Sequence, residues 1–125
     1  MRIVFHGENA ASFSHGFAEL VGDKAEIKLL PDHLEAGADQ KAYAEAEVIV
    51  GVKFDAGLPQ PAGLKLFHVP GAGYDMVDLG ALPASAAVCN CFGHEQAIAE
   101  YVMAALLARN IPLADADRRL RQGDW

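Results

Sequence analysis

The sequence predicts an α/β fold built on a parallel five-stranded sheet. Five short runs rich in branched apolar residues recur along the first three-quarters of the chain, and segments of helix formers or turn residues separate them. One run, "EVIVGV", is apolar without alternation, which suits a strand buried on both faces of a parallel sheet. Strands that alternate with helical segments wind as right-handed β/α/β units.

The elements follow in order. "RIVFH" (Arg2 to His6) is the first strand, and "GENAAS" supplies residues that can start a helix. That helix is expected from about Ala11 to Leu20, with Phe13, Phe17, Leu20 and Val21 at helical spacing and Gly22 ending it. "AEIKLL" (Ala25 to Leu30) alternates like a half-exposed strand and stops at Pro31. "DQKAYAEA" (Asp39 to Ala46) is rich in helix formers and leads into the third strand, Glu47 to Val52. "KFDAGLPQPAG" reads as a loop. "LKLFHV" (Leu64 to Val69) is the fourth strand, a short helical turn is expected near Met76 to Leu82, and "AAVCNC" (Ala86 to Cys91) is the fifth strand.

The last third has a different character. "AIAEYVMAALLA" (Ala97 to Ala108) carries a single charged residue, so its helix is apolar around nearly its whole circumference. A second domain or a second subunit is expected to cover it. "PLADADRRLRQGDW" (Pro112 to Trp125) reads as an amphipathic helix with Pro112 in its first turn and Gly123 at its end.

Composition narrows the function. The chain has 125 residues, 52% hydrophobic and 22% charged, which is enough for one globular domain with a real core. A net charge of −7, spread without long runs, repels phosphate-rich polymers, so nucleic acid is not an expected partner. No stretch has the length of a membrane span and the N-terminal apolar run is too brief for a signal peptide, so a cytoplasmic protein with no membrane partner is expected. Cys89 and Cys91 form a C-x-C pair that reads as two small residues at a strand end; a disulfide between them would be strained by the spacing. No metal site is expected, because His6, His15, His33 and His68 show no ligand spacing.

The motif that carries chemistry is "VPGAGYDMVDL" (Val69 to Leu79), a G-x-G leaving a strand. A dinucleotide fingerprint needs a third glycine three residues later, where this chain has Met76, and an acidic residue about twenty residues on, where it has "CNCFG". The nucleotide reading fails. Gly71 and Gly73 still let the backbone approach a ligand, and consecutive N–H groups in such a turn suit a small carboxylate. The carboxyl end of a strand in an open parallel sheet is where ligands sit. Metalloprotease, nucleophile-elbow and Walker A motifs are absent, and Glu8 and Asp55 alone make a poor receiver-type acidic cluster.

Three pieces in order, "LKLFHVPGAGYDMVDLGAL", "AVCNCFGHEQAIAEYVMAALLARN" and "LRQGDW", give the chain from Leu64 to Trp125 a pattern that resembles the D-isomer-specific 2-hydroxyacid dehydrogenases, the phosphoglycerate dehydrogenase and glyoxylate/hydroxypyruvate reductase type. The resemblance implies a flavodoxin-like three-layer substrate-binding domain over residues 1–93. It implies interdomain and dimerisation helices over 94–125, extending toward a Rossmann domain that this chain lacks. The family's catalytic arginine, glutamate and histidine all fall beyond Trp125, so no catalytic residue is expected here. By the same resemblance, the N–H groups of Ala72 and Gly73 hold a substrate carboxylate, Gly71 shapes the turn, and Val102 approaches the cofactor unless it serves ordinary packing. Lys53 is either a group near the substrate or a solvated loop lysine. His94 stands where the family usually has asparagine, and with Glu95 it can serve as a helix start.

The implied function is the substrate-binding part of an NAD- or NADP-dependent oxidoreductase acting on a small 2-hydroxy or 2-oxo acid, inactive alone and expected to bind no cofactor by itself. Its expected partners are that acid, its own Rossmann domain and a second copy in a homodimer. A free-standing flavodoxin-like module binding a small anion or a partner protein is the alternative.

Overall fold

The computed structural model describes residues 1–124; Trp125, which the sequence places in the last helix, lies outside the described residues. The strands are β1 (Arg2–His6), β2 (Glu26–Leu30), β3 (Val48–Gly51), β4 (Leu66–His68) and β5 (Ala87–Cys89). They form one sheet in the order β2-β1-β3-β4-β5, and every pairing is parallel. This is the flavodoxin-like arrangement that the sequence predicts, with the crossover point between β1 and β3.

Alternation along β1 divides the core. Ile3 and Phe5 point to one face, where they pack with Ala10 of α1 (Glu8–Ala11), with Phe17 of α2 (Phe17–Val21) and with Val50. Val4 points to the other face, onto Tyr43 of α3 (Gly37–Ala44), Ile49, Phe54 and Phe67. Edge-to-face ring pairs fasten both sides: Phe5 on Phe17 at 5.3 Å, and Phe54 on Phe67 at 5.5 Å. Helix, sheet and helix make the three layers. β3 is buried along nearly its full length, as its apolar run requires; β2, at the edge of the sheet, is largely exposed, with Leu29 exposed and Leu30 buried rather than in simple alternation.

Two expected elements differ. The helix expected over Ala11 to Leu20 is broken into α1, a 3-10 turn (Ser12–Ser14) and α2. The hydroxyls of Ser12 and Ser14 donate to the carbonyls of Asn9 and Ala11, both at 2.7 Å, and Gly16 turns left-handed at φ 73°. Phe17 therefore reaches the core while Phe13 and Leu20 stay exposed. The helical turn expected at Met76 to Leu82 is instead a short parallel bridge between Phe54 and Val77 followed by tight turns. There the Asp78 carboxylate accepts the Gly80 N–H at 2.9 Å, a local bond that competes with helix.

The chain divides into two compact units, one from Met1 to Cys91 and one from Phe92 onward. The second holds α4 (Glu95–Asn110) and α5 (Leu113–Arg121), bent from one another by 53°. Every residue of α4 is exposed, including Ile98, Tyr101, Val102, Met103, Leu106 and Leu107. Pro112 stands just before α5 as its N-cap rather than within its first turn. The end of α5 is a Schellman turn: the N–H of Gly123 donates to Leu120 and that of Asp124 to Arg119, with Gly123 at φ 76°. Among the described residues no single helix is long and apolar enough to cross a membrane.

Candidate functional site

The loop that follows β4 lies at the carboxyl edge of the sheet, and the end of β5 holds it. Val69 donates its N–H to the Cys89 carbonyl at 2.8 Å, Cys91 donates to the Gly71 carbonyl at 2.9 Å, and the Asn90 side-chain amide donates to the Ala72 carbonyl at 2.8 Å. Two consecutive carbonyls thus face β5. In a trans peptide the N–H points opposite to the C=O of the same plane, and no cis bond occurs among the described residues. The N–H groups of Ala72 and Gly73 therefore point away from β5, side by side. Neither has an acceptor among the described residues. Adjacent N–H groups without a protein partner are donors that an anion could use.

The glycines in this loop are not needed for backbone conformation. Gly71 and Gly73 both avoid positive φ, so the turn does not depend on Gly71 in the way expected. A Cβ on Gly71 would meet nothing within 4 Å, and one on Gly73 would meet only the Asp75 carboxylate at 3.4 Å. The space they leave is open to whatever approaches the two N–H groups. Among the described residues Asp75 is the one acidic group this close, and its charge opposes an anion there.

Lys53 stands on the loop after β3. Its ammonium pairs with Asp55 at 3.0 Å, and it makes no contact with the Gly71 to Gly73 loop among the described hydrogen bonds and ion pairs. The bridge between Phe54 and Val77, with Phe54 donating to Met76 at 3.1 Å, ties this loop to the segment that follows the glycines. Lys53 holds the Asp55 carboxyl below the usual carboxylate range, and the Gly57 N–H, donating at 2.8 Å, adds to that. Val102 lies on α4 in the other unit with its side chain half-exposed. His94 is the N-cap of α4, but no side-chain hydrogen bond caps the helix; the Glu95 carboxylate instead accepts the Gly93 N–H at 3.0 Å.

A second group at the same edge escapes sequence reading. His6 ends β1, and its buried ring packs edge-on against Tyr43 at 5.0 Å. The His6 Nε2 and the Tyr43 hydroxyl are both buried without a hydrogen-bond partner. Burial pushes the His6 imidazole below its ordinary value, while the backbone and carboxylate of Asp32 pull it up and Lys53 adds to the lowering. Burial raises the Tyr43 phenol, and Asp55 adds to this. Next to His6, Gly7 sits at φ 90°, where a Cβ would come within 2.5 Å of the Asp32 carboxylate. A lone histidine and tyrosine far apart in sequence give no spacing signal; only the "HG" at the end of an apolar strand hints at a tight exit.

The residues present do not fit a dinucleotide. The glycine loop is followed by a bridge and turns, so no helix N-terminus stands behind it to receive a pyrophosphate. Among the described residues no group of three or more His, Cys, Asp or Glu side chains is placed to hold a metal ion. The Gly71 to Gly73 stretch itself offers no base or nucleophile. No family model matches the chain, and no curated protein matches it.

Proposed function

We propose that this chain is the substrate-binding part of an NAD- or NADP-dependent 2-hydroxyacid oxidoreductase, with the N–H groups of Ala72 and Gly73 as the seat of the substrate carboxylate. The observation that carries the reading is the tethering of the Gly71 and Ala72 carbonyls by Cys91 and Asn90, which turns two adjacent N–H donors outward together. Charge on a small carboxylate satisfies both donors at once and leaves the rest of a short acid free to meet groups from elsewhere.

The cofactor belongs to another part of the enzyme, since the residues here do not fit it. When bound there, the nicotinamide supplies the hydride chemistry at C2 of the acid. This chain contributes position: a carboxylate fixed at two N–H groups sets where C2 lies. The exposed apolar surface of α4 supports a place for a cofactor domain and a second copy.

Sequencing the gene past the codon for Trp125 tests the assignment. A strand leading into G-x-G-x-x-G within about thirty residues is the expected result. An immediate stop codon overturns it in favour of a free-standing anion-binding module. The 125-residue chain, assayed alone with glyoxylate or hydroxypyruvate, is expected to leave NADH unoxidised.

A further inference from the structure

The C-x-C pair and a histidine come together on one face of the sheet. Parallel register sets His68 of β4 beside Cys89, the last residue of β5, and Cys91 follows two residues later. His68 Nδ1 lies 2.9 Å from the Cys89 sulfur, and its Nε2 lies 4.0 Å from the Cys91 sulfur. The Cys91 thiol in turn donates to the Val69 carbonyl at 3.8 Å. One tautomer satisfies the whole chain: Cys89 S–H donates to Nδ1, Nε2–H donates to Cys91, and Cys91 S–H donates to Val69. Cys89 is exposed, Cys91 is partly so, and neither is in a disulfide. An apolar groove of about 210 Å³, lined by Phe5, Phe13, Phe17, Val50, Pro70 and the two residues His68 and Cys91, opens beside the ring.

We propose that Cys89 and Cys91 form a hydroperoxide-sensitive dithiol for which His68 is the base. His68 Nδ1 takes the Cys89 proton, and the thiolate sulfur attacks the distal oxygen of a hydroperoxide. The O–O bond breaks, Cys89 becomes a sulfenic acid, and the departing alkoxide takes the proton back as an alcohol. Cys91 then attacks the Cys89 sulfur. The S–O bond breaks, the hydroxyl leaves as water with the Cys91 proton, and a disulfide forms. Two thiols are oxidised by two electrons, and one hydroperoxide is reduced to an alcohol and water.

Cys91 lies two residues beyond Cys89, the last residue of β5, and an extended course over that step sets their Cα atoms about 6.6 Å apart, the long end of what a disulfide spans. Such a bond is strained and easily reduced, which suits a reversible switch and not a permanent staple. Asn90 lies between the two cysteines, and Asn90 and Cys91 tether the glycine loop, so closing the disulfide would pull on the carboxylate seat. That last consequence rests on the proposed function; the thiol chemistry does not.

The test exposes the purified chain to hydrogen peroxide, blocks remaining thiols with iodoacetamide in denaturant, and reads intact mass. Loss of two hydrogens with no alkylation, reversed by dithiothreitol, is expected. Cys91→Ser should instead yield a dimedone adduct on Cys89, and His68→Gln, shown folded by circular dichroism, should slow the loss of thiol by at least about tenfold. Both cysteines remaining alkylatable after peroxide, or His68→Gln reacting at the wild-type rate, would overturn the proposal. A disulfide that forms while the Ala72 and Gly73 amide resonances stay in place would remove only the link to the carboxylate seat.

Discussion

Replacing Tyr43 by phenylalanine should make the protein more stable. The Tyr43 side chain has 0% exposure, and its hydroxyl is buried with no hydrogen-bond partner. A buried hydroxyl without a partner costs roughly 1–3 kcal/mol, and substituting an apolar group of the same shape removes that cost. The rest of the ring's packing survives, because the edge contact with His6 at 5.0 Å and the stacking on Phe54 at 6.4 Å involve carbon atoms that phenylalanine keeps. Deleting one oxygen leaves a void smaller than a methyl group, which offsets only part of the gain. A net stabilisation of about 1–2 kcal/mol follows, equivalent to a rise in Tm of at least about 4 °C for a domain this size. Urea unfolding followed by circular dichroism gives the answer, with the midpoint rising and the m-value unchanged. The alkaline limb supplies a second reading. The phenol ionises more readily in the unfolded chain than in the folded one, so stability falls as pH rises above the ordinary value of 10.0, and Tyr43→Phe should abolish that share of the loss. An unfolding free energy that drops by about 1 kcal/mol or more, the cost of a lost hydrogen bond, would show instead that the hydroxyl is satisfied.

Three further outcomes follow from the same edge of the sheet. The His6 imidazole is lowered by burial, so stability is fully present above the ordinary value of 6.5 and falls as pH drops from there toward the folded value; a chemical-denaturation series over this range should show the loss, and His6→Phe should flatten it. Gly7→Ala forces a side chain onto φ 90° and against Asp32, and should cost about 1–3 kcal/mol by urea unfolding, whereas Gly71→Ala, with open space and no positive φ, should change stability by less than about 0.5 kcal/mol. Asp75→Asn removes the negative charge beside the two free N–H groups and should tighten carboxylate binding about two- to fivefold at low salt, an effect that calorimetry at raised ionic strength should shrink; unchanged affinity would show that Asp75 does not face the bound anion.

Strands were legible in this sequence because burial wrote them plainly. "VIVG" is buried on both faces and admits no polar residue, whereas "EIKLL" is an edge strand in which only Leu30 is fully buried. The interrupted helix was hidden because Phe13, Phe17 and Leu20 keep helical spacing while Ser12, Ser14 and Gly16 undo it locally, a contest that periodicity does not register. The loop from Met76 was hidden for a related reason, since its partner in the bridge, Phe54, is distant in sequence. Within the candidate site, the glycine loop could be found from its spacing, but the outward turn of its N–H groups depends on Asn90 and Cys91, which sequence places in a different strand. His6, Tyr43 and Asp32 meet only because β1, β2 and α3 deliver them to one place from separate segments. The contact of His68 with both cysteines likewise depends on register between β4 and β5, which a C-x-C pattern alone does not disclose.

Amide resonances report directly on whether the Ala72 and Gly73 N–H groups seat a carboxylate. In a 15N-labelled sample titrated with glyoxylate, these two amides should shift together and saturate, and Gly73→Val should abolish the shift in a protein that remains folded. Ala72 and Gly73 amides that stay fixed at saturating acid, or shifts that survive Gly73→Val unchanged, would contradict the carboxylate seat.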